Sequence, residues 1–222
     1  ALIAAVSLAL ALLPARGEPS VSVDDQPVST QHASRRPPWR PVIALLLLAC
    51  ASQLPNGFYD ALWSRLLTDR GATPLLIGLS LTLFGLPFIA LAPIGGRLAG
   101  RRAPLVAAGV GVAVSAVFMA SYGWVASPIL ITVLGMFEAC AQSVAVPGGY
   151  AAVAEVFPDD WAATGQGWFS GAGTAAAGAS ALASAAAYSA VGSGLVFTGG
   201  AVLSVLCVAG SLLAYGGRGR RC

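Results

Sequence analysis

The sequence predicts an all-α polytopic membrane protein whose core is a bundle of six transmembrane helices. The chain of 222 residues is 57% hydrophobic and 9% charged, whereas soluble domains carry about 25% charged residues. Its apolar runs are long enough, at about 1.5 Å per residue, to cross the ~30 Å hydrocarbon layer of a lipid bilayer. All twelve basic residues are arginines that cluster at the ends of these runs. They form no basic patch with interleaved aromatics, so a nucleic-acid partner is not expected.

The first 41 residues are expected to hold two segments outside the bundle. Residues 1–13 are apolar but shorter than the ~20 residues that cross a bilayer. They fit either the apolar region of a signal peptide or the end of a truncated transmembrane helix. The truncated helix is favoured because no basic segment precedes the run. Residues 14–41 are polar, charged and rich in proline, and this composition predicts a cytoplasmic linker.

Six apolar runs follow the linker, and turn residues or charges bound each of them. The short gaps between them predict antiparallel neighbours, and no run shows the ~10-residue alternation of a β-barrel strand. The bundle is therefore expected over residues 42–215, with a cytoplasmic tail at 216–222. The predicted helices cover residues 42–64, 74–95, 104–124, 128–149, 165–187 and 193–215.

The arginines assign a direction to every predicted helix. The hinge Gly95–Arg102 holds three of them between two apolar runs, and arginine is enriched in cytoplasmic loops. With this hinge inside the cell, ten arginines face the cytoplasm and only Arg65 and Arg70 face outward. The plasma (inner) membrane is the expected location, with the linker and the C-terminus cytoplasmic. The ten inner arginines are Arg16, Arg35, Arg36, Arg40, Arg97, Arg101, Arg102, Arg218, Arg220 and Arg221.

Tryptophan and glycine positions lead to two further structural predictions. All five tryptophans, Trp63 among them, fall near predicted helix ends, as in the aromatic belts at membrane surfaces. Gly167 and Gly171 have the small-xxx-small spacing that lets a neighbouring helix approach closely.

One acidic side chain is predicted near the centre of the bilayer. Glu138 lies about 16 Å into its predicted helix, with Gln142 on the same helical face, and no arginine is expected at that depth. Ionisable residues inside membranes are costly and are functional candidates. A carboxyl group there is expected to be protonated part of the time, as proton-coupled transport requires. The alternative is a structural glutamic acid that is hydrogen-bonded to a neighbouring helix.

A polar stripe runs along the first predicted helix. Gln53, Asn56, Asp60 and Ser64 recur at spacings of three and four, within an arc of about 80°. Such a stripe is expected to face a bundle interior or a wet cavity, so Gln53, Asn56, Asp60 and Gln142 are candidate substrate contacts. For Asp60, an ion pair with Arg65 and a role in ion coupling remain equal alternatives.

Motifs for enzymatic catalysis, nucleotide binding or metal binding are not found, so neither an enzyme nor a cofactor is expected. The four cysteines lack metal-ligand spacing, and the phosphate-binding and nucleophile-elbow motifs are missing. The energy for transport would have to come from an ion gradient or from a partner protein that is not part of this sequence. The alternatives are a membrane-embedded permease subunit of an ATP-driven complex and a non-transporting membrane scaffold.

The loop Gly96-Arg97-Leu98-Ala99-Gly100-Arg101-Arg102 resembles the G-x-L-A-D-R signature of the major facilitator superfamily. With six apolar runs after a basic linker, the chain is similar to the C-terminal half of such a transporter, and residues 1–13 would end the preceding helix. The resemblance implies alternating access to a small-molecule site between this half and a missing N-terminal half, in efflux or uptake. Gly96, Arg97, Arg101 and Arg102 would form the gating loop, although Gly100 replaces the aspartate of the signature.

Overall fold

The computed structural model describes residues 39–99 and 103–216, which are helical apart from short connections. A 3-10 turn at Asp159–Trp161 precedes the last helix. The helices are α1 (Trp39–Asp69), α2 (Pro74–Ala99), α3 (Pro104–Tyr122), α4 (Pro128–Val156) and α5 (Ala162–Gly216). All five are long and apolar enough to cross a membrane. The segment 1–13, most of the linker and the tail after Gly216 lie outside the described residues.

Two of the six predicted helices lie within α5, which Gly192 divides into two arms. The backbone at Gly192 has φ 82° and ψ 165°, a conformation that is essentially restricted to glycine. The first arm, 162–191, runs parallel to α1, and the second arm, 193–216, runs antiparallel to it, so the chain reverses at Gly192. The contacting pairs are Cys50–Ala172, Leu54–Ser180 and Asp69–Tyr188 for the first arm, and Ala44–Ser211 and Phe58–Gly200 for the second.

Several helices are longer than their apolar runs predicted. α1 begins at Trp39, inside the expected linker, and ends at Asp69, and α4 continues through Pro147 to Val156. The expected loop at 96–102 is also partly wrong, because Gly96 and Arg97 belong to the last turns of α2. Apolar runs measure only the part of a helix in the hydrocarbon, whereas the backbone hydrogen bonds continue through the ~40–45 Å that includes the headgroup regions.

The C-terminal end of α1 is fixed by a glycine turn. Gly71 has φ 80°, its N–H donates to the Thr68 carbonyl at 2.9 Å, and the Ala72 N–H donates to the Leu67 carbonyl at 3.0 Å. This pair of bonds is a Schellman motif, which satisfies the last carbonyls of a helix and needs a left-handed residue. It places the start of α2 only a few residues after the end of α1.

Close packing between helices occurs at glycines other than the predicted pair. A Cβ atom at Gly57 would overlap the backbone of the first arm at Ala177, and a Cβ atom at Gly95 would overlap the backbone of α4. In contrast, Gly167 and Gly171 face open space within the described structure, so the prediction of a close approach there is wrong for this part of the chain. α1 is therefore in backbone contact with α5, and α2 with α4.

One side of α2 packs against α4, and most of its remaining surface is exposed in the described structure. Only 6% of its membrane-spanning window is buried, compared with 50% for α1 and for α3. The exposed side chains are large and apolar, as at Leu75 and Ile89, which are 81% and 72% exposed. A surface of this kind requires lipid or another apolar protein surface around it.

Candidate functional site

Four helices enclose a cavity of about 430 Å³ beside α1. This volume lies within the ~300–1,000 Å³ that is typical of small-molecule sites. α1 contributes five of the eleven lining residues, α2 three, the first arm of α5 two and α4 one. They are Gln53, Asn56, Tyr59, Asp60 and Trp63, then Ser80, Leu81 and Phe84, then Thr174 and Ala177, and finally Glu138.

The polar stripe of α1 faces this cavity over most of its length. Gln53, Asn56 and Asp60 all line it, whereas Ser64, one turn further, does not. The Asn56 amide Nδ2 donates a hydrogen bond to Gln53 Oε1, so the two amides orient one another. α1 can carry this stripe because its other faces bury apolar side chains against α3 and α5.

Asp60 is exposed in the cavity and makes no hydrogen bond or ion pair within the described ranges. Its predicted partner, Arg65, lies instead over the ring of Tyr188, with 4.7 Å between the guanidinium carbon and the ring centroid. The ion-pair interpretation of Asp60 is therefore not what the structure shows. The carboxylate remains available to a molecule in the cavity.

Glu138 is held in place by neutral hydrogen-bond donors. The Tyr59 hydroxyl donates to Oε1 at 2.7 Å and the Tyr122 hydroxyl donates to Oε2 at 2.6 Å. The side chain of Gln142, one turn along α4, lies beside the same carboxyl group. Glu138 is only 1% exposed, although it lines the cavity, and no arginine of the described ranges pairs with it. Gln142 is buried behind it and does not line the cavity.

Aromatic rings pack around the tyrosines that bind Glu138. Trp63 meets Tyr59 and Tyr122 edge to face, with ring centroids 5.7 Å and 5.4 Å apart, the arrangement that aromatic pairs favour. The Trp63 indole N–H donates to the Ser80 hydroxyl at 2.9 Å, which joins α1 to α2. Trp63 is thus buried in the bundle, and its prediction as part of an interfacial belt is wrong.

The comparison with protein families decides what kind of molecule this is. The model of the Major Facilitator Superfamily matches residues 45–218, a range that includes every residue lining the cavity. The chain belongs to the Major Facilitator Superfamily. Members of this superfamily are membrane transporters and not enzymes, so the chain is a multi-pass protein of a transport family. Neither a curated protein nor a solved structure matches the chain.

The loop motif that suggested the superfamily lies away from the cavity. Arg97 is on α2, thirteen residues after the cavity residue Phe84 and therefore about 20 Å further along the helix axis, and its side chain is exposed. Arg101 and Arg102 lie outside the described residues. The described part of this superfamily member also contains no group of three or more metal-binding side chains.

Several residues that line the cavity or hold Glu138 were not anticipated from the sequence. Tyr59 precedes Asp60 in the sequence but lies about 100° from it around α1, outside the arc of the polar stripe, so the helical period did not identify it. Tyr122 ends α3, and Thr174 lies in an alanine-rich and glycine-rich stretch of α5. Neither has a local pattern that separates it from a structural residue, because only the packing of α3 and α5 against α1 brings them to this site.

Proposed function

We propose that this chain carries out secondary active transport of a small molecule, coupled to protons through Glu138. The cavity is the substrate site, and it is opened to each side of the membrane in turn. The observation that carries the proposal is a buried carboxyl group at a cavity of ligand size, held by tyrosine hydroxyls from two neighbouring helices. Gln53, Asn56 and Asp60 contact the substrate, and Gln142 positions Glu138.

Glu138 suits proton exchange because of its surroundings. Its neighbours Tyr59, Tyr122 and Gln142 can hydrogen-bond either state of the carboxyl group, since hydroxyl and amide groups both donate and accept. Asp60 is the other acidic group at the cavity. Loss or gain of one proton therefore changes the charge of the cavity without removing the side chains that hold Glu138 in place.

The remaining part of the transporter is proposed from the exposed surface of the bundle. The chain would form the C-terminal six-helix half of a twelve-helix protein, with the two arms of α5 as its last two helices. The cavity would face the N-terminal half, and the exposed side of α2 would face that half and the lipid. The arginine-rich connections would lie in the cytoplasm, because arginine is enriched in the cytoplasmic loops of membrane proteins.

The experiment that tests the proposal is the replacement Glu138→Gln in the full-length protein, reconstituted into proteoliposomes with an imposed pH gradient. A panel of labelled organic cations, anions and neutral solutes first identifies one that the unaltered protein accumulates. Glu138→Gln should abolish gradient-driven accumulation of this solute, while exchange of labelled for unlabelled solute continues. The matched control is Glu155→Gln on the same helix, where the glutamate is exposed and accepts a bond from Tyr215.

Three results would contradict the proposal. Unchanged pH-driven accumulation by the Glu138→Gln variant would assign the glutamate a structural role and reject proton coupling. Accumulation of solute only with ATP and a separate ATPase would favour a permease subunit of an ATP-driven complex. Failure to move any solute of the panel would favour a membrane scaffold.

A further inference from the structure

We infer that the cavity selects organic cations of modest size, and that the carboxylate of Asp60 is their direct contact. This inference rests on the proposed transport function and specifies its substrate class. It follows from three properties of the cavity: the sign of its charges, the state of its two carboxyl groups and the type of its apolar lining.

Among the described residues, the charged groups at the cavity are acidic. Asp60 and Glu138 line it, and none of the described arginines does. The described arginines are engaged or placed elsewhere: Arg65 covers the ring of Tyr188, and Arg70 donates to the Gly123 carbonyl at 2.8 Å. A cavity with one sign of charge concentrates molecules of the opposite sign, and an anion would meet no basic side chain among the described lining residues.

The two carboxyl groups are not equivalent. Both oxygens of Glu138 already accept tyrosine hydroxyls, at 2.7 Å and 2.6 Å. Asp60 has no donor within hydrogen-bond distance in the described ranges and is exposed to the cavity. Asp60 is therefore the group whose negative charge can attract a bound cation directly without first losing a partner.

The apolar lining suits a cation that carries an aromatic or aliphatic body. Tyr59, Trp63 and Phe84 line the cavity, and aromatic rings attract cations through their quadrupole. Quaternary ammonium groups are recognised in this manner, because they need electrostatic attraction but offer no hydrogen-bond donor. The volume of about 430 Å³ fits a small organic molecule.

The test compares three molecules that have similar shapes and differ in charge. Phenyltrimethylammonium is a cation, tert-butylbenzene is its neutral isostere, and benzenesulfonate serves as the anion. Binding of each is measured by isothermal titration calorimetry on the purified full-length protein, without a pH gradient. Phenyltrimethylammonium should bind at least tenfold more tightly than the other two, which corresponds to about 1.4 kcal/mol.

Asp60→Asn then tests the assigned contact, because the side chain keeps its shape and loses its charge. It should weaken binding of phenyltrimethylammonium about tenfold and leave binding of tert-butylbenzene unchanged. Asp160→Asn, an exposed site outside the cavity, changes the net charge equally and should have no effect. A second variant, Asn56→Asp, adds a carboxylate to the cavity and should tighten cation binding.

Two outcomes would overturn the inference. Equal or tighter binding of benzenesulfonate or tert-butylbenzene would show that charge does not select the substrate. Cation binding that is the same in the Asp60→Asn and Asp160→Asn proteins would remove Asp60 from the site. Either result leaves transport of another solute class intact, whereas the failure of all gradient-driven accumulation would reject the transport function itself.

Discussion

Replacing Gly57 by alanine should separate α1 from the first arm of α5. An ideal Cβ atom on Gly57 would overlap the Ala177 carbonyl oxygen and the Ser180 hydroxyl, and would lie 2.9 Å from the Ala177 carbonyl carbon. Carbon atoms in contact are about 3.5–4.0 Å apart, so the two helices must separate by at least about 0.6 Å. The same movement would stretch the 2.8 Å hydrogen bond from Ser180 to the Leu54 carbonyl.

Gly57→Ala destabilises the protein because the new methyl group overlaps backbone atoms, which cannot rotate away as a side chain can. Extra methyl groups in packed interiors destabilise a protein by about 1–3 kcal/mol, and the overlap with backbone atoms places Gly57→Ala at the upper end of this range. The higher helix propensity of alanine offsets up to about 1 kcal/mol of that destabilisation. The net destabilisation of Gly57→Ala is therefore about 2 kcal/mol, which corresponds to an apparent Tm lower by about 4–8 °C.

The assay is thermal unfolding of the full-length protein in detergent, followed by fluorescence. The control is Gly178→Ala, next to Ala177 on the same helix, where a Cβ atom meets nothing within 4 Å. This control should keep or slightly raise the apparent Tm. If Gly57→Ala were as stable as the control, the backbone contact between α1 and α5 would be wrong.

Three further predictions concern other contacts of the bundle. Gly95→Ala should lower the apparent Tm by a similar amount, because its Cβ would overlap the Ser143 carbonyl, and an unchanged Tm would refute the packing of α2 on α4. Tyr122→Phe removes the donor to Glu138 Oε2 and should destabilise the protein by about 1–3 kcal/mol, seen as a lower midpoint in the same melt. A cysteine replacing Arg101 should react with an impermeant thiol reagent only after the cytoplasmic side is opened, and reaction in intact cells would reverse the assigned orientation.

The helical period was enough to find much of the candidate site. Gln53, Asn56 and Asp60 are spaced so that any α-helix must place them on one face, and a continuous apolar run around Glu138 placed it in the membrane. These predictions depend only on the geometry of one helix. They hold as long as the helix forms, whatever packs against it.

Features that depend on two helices were not predictable in this way. Gly167 and Gly171 have the spacing of a packing motif, but the close backbone approach occurs at Gly57, whose partner at the same spacing is Ala61 and not a second glycine. Trp63 lies at the end of an apolar run, as an interfacial tryptophan would, but the Ser80 hydroxyl and the neighbouring rings hold it inside. In each case the rotation of the helix about its axis determines which residues face a neighbouring helix, and a single sequence gives little information on that rotation.

Side-specific accessibility of the cavity tests the central claim most directly. In the full-length protein with every native cysteine replaced, including the four of this chain, Asn56→Cys places a thiol in the cavity. An impermeant thiol reagent is then added from either side of oriented membrane vesicles. Alternating access predicts reaction from both sides, slowed by a transported solute. Leu182→Cys, on the exposed apolar surface, should react from neither side. Reaction of Asn56→Cys from one side only, or with no protection by solute, would contradict the assignment of this cavity as the transport site.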